Sequence, residues 1–302
     1  MDIRPTHATL GAIVTHIDVR SLAADAFAKL EAAWHEHAVL IFPAQHLDDE
    51  VHIAFSRRFG SLERLQTTAV EGAQPEIFMA SNVGPDGRTD PVGSAHFLHN
   101  KGNRIWHSDS SFKSNPAKAS LLRAEAVPST GGETEFADMR ASYEALDGEQ
   151  QRWLADKVAV HSFRYSQGQV GGLNLMSATE LDAIPPVEHP IVATHPATGR
   201  KNLFIGRHAS HIAGAELEEG RARLRSLCAE ACRGDRVYRH RWRVGDVVIC
   251  DNRCVLHRAR PYDFNETRIL QATRIACDPT SELASTGRDE RASGFNPSSV
   301  NR

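Results

Sequence analysis

The sequence predicts a mainly β fold with flanking helices, of rolled or double-sheet architecture. Three observations predict it. From Ala119 onward most apolar runs are only four to eight residues long, turn-forming Gly, Pro, Asn and Asp separate them, and few helical patterns interrupt them. With 302 residues and no linker-like composition before its end, the chain reads as one catalytic domain over 1–278, followed by a polar, flexible tail over 279–302.

Alternation over Thr9–Val19 predicts the first strand, bent near Gly11. Phe27, Leu30 and Trp34 share a helical face over Asp25–Trp34, and Ala38–Phe42 is a buried strand ended by Pro43. Asp48 is the expected N-cap of a helix running to Phe59, with Gly60 just beyond it. After a strand at Glu76–Asn82, the run Gly84–Asn103 has no clear period and is expected to be a long loop serving as a lid. Strands are then predicted at Ala119–Ala124, Glu133–Ala137, Lys157–Phe163, Ile191–His195, Leu203–Gly206, Val237–Arg243, Val247–Cys250, Val255–Arg258 and Arg268–Ala276. Helices fall at Met139–Leu146, Gly148–Ala155 and Ala215–Cys232.

A net charge of -3 provides no basic field for nucleic acid or anionic lipid, so the expected partners are small molecules or a second copy of the chain. The N-terminus lacks an apolar signal core and no window approaches a membrane span, which makes the cytoplasm the expected compartment. All five cysteines lie between Cys228 and Cys277. Their odd number, without a second pair at zinc-finger spacing, favours reduced core thiols.

His107 and Asp109 are two residues apart in Trp106-His107-Ser108-Asp109, so on an extended strand both side chains leave one face. His257 follows a distant Asp251-Asn252-Arg253 and can complete a set of two imidazoles and one carboxylate. Non-haem iron(II) oxygenases use such a set, which leaves coordination positions open for a co-substrate and dioxygen. An HxD pair is weak evidence by itself, because a structural His beside Asp is common. Arg268, eleven residues past His257, strengthens it, since a guanidinium can hold the far end of a metal-chelating dicarboxylate through two parallel hydrogen bonds.

The chain resembles the taurine dioxygenase and 2,4-dichlorophenoxyacetate dioxygenase family of iron(II)/2-oxoglutarate oxygenases. The matching residues are Trp106 to Asp109, Gly131-Gly132-Glu133-Thr134, Thr194-His195-Pro196, Trp242 with Gly245-Asp246, Asp251-Asn252-Arg253, His257 and Arg268, with Phe55 to Gly60 nearer the N-terminus. The resemblance implies a double-stranded β-helix, the cupin-like jelly roll. It implies that His107, Asp109 and His257 bind iron(II), that Thr134 and Arg268 hold 2-oxoglutarate, and that His195 is structural. The reaction implied oxidatively decarboxylates 2-oxoglutarate to succinate and carbon dioxide and hydroxylates the nearest substrate carbon with dioxygen.

Within that family, Phe136 to Ala141, Tyr165-Ser166-Gln167 and Gly199 to Ala209 are similar to enzymes that cleave (S)-2-phenoxypropionate and phenoxyacetate herbicides. An aryloxyalkanoate is therefore the expected substrate, with an alkyl sulfonate or another small carboxylate as the alternative. Ala272 stands where taurine dioxygenase has its sulfonate-binding arginine, which disfavours taurine. Arg274, two residues on, shares the strand face of Arg268 and is a substitute cation. Arg207 and His208 end a strand expected to border the substrate, with Arg207 preferred as a carboxylate anchor, and Asn103 occupies another substrate-contacting position. A cupin-like binding protein and a zinc hydrolase are the competing readings; neither has a use for Thr134 and Arg268 as a keto acid clamp.

Overall fold

In the computed structural model, residues 1–65, 74–84 and 86–278 are described. The expected tail over 279–302 lies outside them. A seven-stranded sheet runs in the order β1 (Asp2–Pro5), β2 (Ala12–Thr15), β3 (Val39–Phe42), β13 (Val247–Asp251), β5 (Ala117–Ala126), β15 (Ile269–Ala276) and β4 (Phe78–Ser81). Only β2 and β3 pair in parallel within it. Three smaller sheets comprise β12 (Val237–His240), β6 (Thr134–Asp138) and β14 (Val255–Ala259); β11 (Ala209–Ile212), β7 (Val158–His161) and β8 (Val187–Pro190); and β10 (Lys201–Leu203) with β9 (Val192–Thr194).

This arrangement corrects the expectation of a mainly β jelly roll. Among the described residues the fold is mixed α/β, and none of the four sheets closes into a barrel. The seven-stranded sheet ends on β1 and β4, and the β12-β6-β14 sheet ends on both of its outer strands. Strand periodicity is a local signal, whereas closure requires the two edge strands to exchange hydrogen bonds. Sequence pattern reports the first and carries no information about the second.

Helices fill more of the chain than the pattern suggested. They are α1 (Ala24–His37), α2 (Asp49–Arg57), α3 (Ala95–Asn103), α4 (Met139–Glu144), α5 (Gly148–Leu154), α6 (Phe163–Gly168), α7 (Ala178–Asp182) and α8 (Leu217–Ala231). Asp48 caps α2 as expected, accepting from Val51 N–H. The predicted 84–103 loop instead ends in α3, which Ser94 caps by accepting from Phe97 N–H. Its polar composition and Gly102 hid the helical period. Cys250, Cys254 and Cys277 are buried, and none of the five cysteines forms a disulfide among the described residues. No helix of the described residues is long and apolar enough to cross a membrane.

The core positions the site by layering. One apolar cluster joins α1 and α2 to one face of the large sheet through Leu30, Trp34, Phe55, Leu121 and Ile249. A second lies between that sheet and β12-β6-β14, combining Leu122, Val248, Leu270 and Ala272 with Phe136 and Val255. Side chains alternate across a strand, so β5, β13 and β15 supply both clusters. The chemistry-bearing residues open from the second.

Candidate active site

His107 and His257 meet as an isolated antiparallel bridge. Each backbone N–H donates to the other's carbonyl, at 3.0 and 2.8 Å, and the ring centroids are 4.3 Å apart. Asp109 reaches both rings, with Oδ1 3.9 Å from His107 Nε2 and Oδ2 3.6 Å from His257 Nε2. One donor atom from each of the three lies within 4.8 Å of the others, close enough to share one metal ion.

Neighbouring residues set the direction of these donors. His107 Nδ1 pairs with Ile105 O at 2.8 Å, which leaves Nε2 as the nitrogen able to ligate a metal. Ser120 O–H donates to Asp109 Oδ2 at 2.6 Å and receives a hydrogen bond of 2.9 Å from the Asn252 side-chain amide. Asn252 Oδ1 in turn accepts from Asp109 N–H at 3.3 Å. Burial pushes both imidazoles below their ordinary pKa, keeping them neutral and able to ligate. Burial by itself would raise the Asp109 carboxyl, but the Arg274 guanidinium, helped by the hydrogen bond from Ser120, outweighs it and holds the group well below the usual carboxylate range.

Thr134 and Arg268 line the same cavity as His107, Asp109 and His257. Arg268 is 2% exposed, and no carboxylate of the described residues pairs with it. Its Nε donates to Gly132 O at 3.1 Å, and its backbone N–H donates to Asn82 Oδ1 at 2.8 Å. The Asn82 amide ties this junction to Phe264 O and Glu266 O, each at 2.8 Å. Burial lowers the Arg268 pKa to about 10, so the guanidinium stays charged at neutral pH. Thr134 Oγ1 accepts from Trp242 Nε1 at 2.8 Å, and its own hydrogen remains available for an incoming oxygen. Gly132 has φ +68 and passes so close to Arg268 that a Cβ would lie 3.2 Å from its Cδ and Nε.

The cavity holds about 380 Å³, and its apolar wall includes Phe78, Leu122, Leu270 and Ala272. Asn103 and Arg274 also face it, whereas Arg207 and His208 do not. Arg207 packs against Gly102 of α3 with its Nε and Nη1 unpartnered, and His208 packs against Phe112. A larger groove of about 890 Å³ runs over α5 and α8 but contains none of the clustered ligating groups, so chemistry rather than size selects the site. Sequence reasoning missed Ser120 and Asn82, and it noted Asn252 only as part of the Asp251-Asn252-Arg253 motif without a role; a lone polar residue within or beside an apolar strand was the available signal for the first two.

A second cluster of His195, Asp251 and Cys254 also has metal-like spacing. Its hydrogen bonds are already committed: Asp251 Oδ2 pairs with His195 Nε2 at 2.9 Å, and Arg253 reaches Oδ1 and Oδ2 at 2.8 and 2.6 Å. His195 Nδ1 accepts from Thr198 N–H at 3.2 Å in the β9–β10 turn.

Residues 2–274 match the model of the family described as taurine catabolism dioxygenase TauD, TfdA family. The chain belongs to this family. It is an iron(II)- and 2-oxoglutarate-dependent dioxygenase. Among relatives within the TauD/TfdA family, the (S)-phenoxypropionate/alpha-ketoglutarate-dioxygenase of Sphingobium herbicidovorans is 43% identical over 290 residues, covering 94% of this chain and 97% of its own. The alpha-ketoglutarate-dependent 2,4-dichlorophenoxyacetate dioxygenase of Cupriavidus pinatubonensis is 41% identical over 272 residues, covering 88% and 94%. The crystal structure of AAD-2 in complex with Mn(II) and N-oxalylglycine superposes with a TM-score of 0.84 at 38% identity, covering 91% of this chain and 98% of that one.

Proposed function

We propose that the enzyme hydroxylates an aryloxyalkanoate at the carbon bearing the ether oxygen, with His107, Asp109 and His257 as the iron ligands and Thr134 and Arg268 as the 2-oxoglutarate clamp. The observation that carries this reading is the shared cavity: three converging ligand atoms, a buried arginine without a carboxylate partner, and an apolar wall. The two relatives above, which act on phenoxypropionate and dichlorophenoxyacetate, support the substrate class. A net charge of -3 also supports a small acid rather than a polyanion as partner.

Iron(II) with 2-oxoglutarate supplies the activation of dioxygen and the oxidation of a substrate C–H bond. The chain's own residues prepare for it. Ile105 O fixes the His107 tautomer, while Ser120 and Asn252 hold the Asp109 carboxylate in place. Arg268, buried without a counter-charge, favours a dicarboxylate whose far end lies beside it, and Thr134 O–H adds a second donor there. Phe78, Leu122 and Leu270 exclude water and offer an apolar surface to an aryl ring. Hydroxylation next to an ether oxygen gives a hemiketal or hemiacetal, which breaks its C–O bond to release a phenol and a 2-oxo acid.

Incubating the protein with iron(II), ascorbate, 2-oxoglutarate and a panel of aryloxyalkanoates and alkyl sulfonates tests this. Succinate and phenol should form in equal amounts with an aryloxyalkanoate. Succinate release only with sulfonates would reject the substrate class.

A further inference from the structure

The β12-β6-β14 sheet has two unlike faces. Strand alternation turns Thr134, His257 and Ala259 into the active cavity, and Glu135 and Arg258 away from it. On this outer face Arg239 of β12 and Arg258 of β14 stand opposite Glu135 of β6, one on each side. Arg239 donates to Glu135 Oε1 through Nε at 3.0 Å and Nη2 at 2.8 Å, and Arg258 Nε donates to Oε2 at 2.8 Å. Arg260 Nε lies 3.9 Å from Oε1.

Three guanidinium groups thus share one carboxylate, an excess of two positive charges, and no other carboxylate of the described residues lies within ion-pair distance of any of them. Only 4% of the Glu135 side chain is exposed, against 57% for Arg239 and 29% for Arg258. Burial by itself would raise the Glu135 carboxyl, but the arginines, Arg258 foremost, outweigh it and hold the group below its ordinary pKa. The buried acid is therefore satisfied, and the surplus charge faces outward. Arg258 uses only Nε and Arg239 only Nε and Nη2, so Arg258 Nη1 and Nη2 and Arg239 Nη1 remain to donate.

Arg239, Glu135 and Arg258 line a cavity of about 480 Å³ together with Trp106, His7 and Cys232, within the size range of small-molecule sites. None of its lining residues belongs to the active cavity. The Arg258 guanidinium lies over the Trp106 ring, 4.4 Å from the centroid, which holds the cation in place. We propose that this cavity is a second, anion-binding site that takes a small dianion of phosphate or dicarboxylate chemistry between Arg239 and Arg258. A guanidinium fork matches either oxyanion with two parallel hydrogen bonds, and two surplus cations match a dianion in charge. A dianion held there lies against Trp106 and Arg258, the chain neighbours of His107 and His257. The assignment is independent of the aryloxyalkanoate reading.

Calorimetric titration of the full-length protein, loaded with Mn(II) and N-oxalylglycine, with inorganic phosphate and separately with glutarate tests the assignment. At least one of the two should bind. Arg239→Gln and Arg258→Gln each leave Glu135 with a cation and should weaken binding by about tenfold or more, the loss of one charge-assisted hydrogen bond. Glu135→Gln removes the competing carboxylate and should tighten binding, a gain that misfolding cannot produce. Circular dichroism checks that all three variants fold. Tighter binding of phosphate assigns a phosphate ester as the ligand class, and tighter binding of glutarate a dicarboxylate; both outcomes support the site. Binding of neither anion, or binding unchanged in the three folded variants, would overturn the proposal.

Discussion

His107 and His257, 150 positions apart in sequence, are joined through their backbones by two hydrogen bonds of 3.0 and 2.8 Å. Two imidazole rings of the candidate metal site are thereby held at fixed separation by main chain rather than by side-chain packing. The third group, Asp109, depends on side-chain partners, and the consequences of altering the site divide along that line.

Ser120→Ala removes the donor to Asp109 Oδ2 and leaves the Asn252 amide without its acceptor. The loss should cost about 1–2 kcal/mol of stability, as for other buried hydrogen bonds. Metal affinity should fall by about tenfold or more, the usual effect of removing an outer partner of a ligand. Thermal melting and a Mn(II) titration check the two effects; unchanged affinity would show that Asp109 needs no support.

Gly132→Ala places a Cβ against Arg268 and Pro128 at a residue with φ +68. Strain at a positive φ should destabilise the protein by about 1 kcal/mol. Displacement of Arg268 should raise the KM for 2-oxoglutarate more than it lowers kcat, which steady-state kinetics over a range of 2-oxoglutarate resolves.

Asn82→Ala breaks the link between the Arg268 backbone and the Phe264 and Glu266 carbonyls. Since Asn82 is fully buried, about 2–3 kcal/mol of stability should be lost. The 2-oxoglutarate KM should rise with iron affinity unchanged, a combination distinct from that of Ser120→Ala.

Stability should decline on acidification below neutrality. Burial lowers the pKa of His52 to about 3 and that of His189 to about 4, against 6.5 for an unperturbed imidazole. Between those values and 6.5 the unfolded chain binds protons that the folded one refuses, so falling pH favours unfolding. Each such histidine contributes up to about 1.4 kcal/mol per pH unit. Melting temperatures from pH 7 to 4.5 should drop, and His189→Gln should flatten the slope; an unchanged slope would remove His189 from the account.

The sequence showed the ligand set more clearly than the fold. His107 and Asp109 were legible because a two-residue spacing is informative on an extended segment, and Arg274 was legible as sharing a face with Ala272 for the same reason. That Arg274 would meet Asp109 depended on the β15–β5 register, which no local pattern encodes. Ser120 was invisible, and the role of Asn252 within its motif unread, because single polar residues near apolar strands have many possible uses. α3 was missed because Gly102 and its polar neighbours blurred its period, and the jelly roll was wrongly expected because strand count does not report which edges pair.

Arg253 occupies both oxygens of Asp251 in the cluster that His195 and Cys254 complete. That guanidinium acts as a built-in competitor, filling a second pocket of metal-like donors with a charge that cannot be exchanged. Loading the apo-protein with a divalent ion should therefore reach a single equivalence point at one ion per chain, and a soft ion drawn to Cys254 would have to evict an arginine to enter.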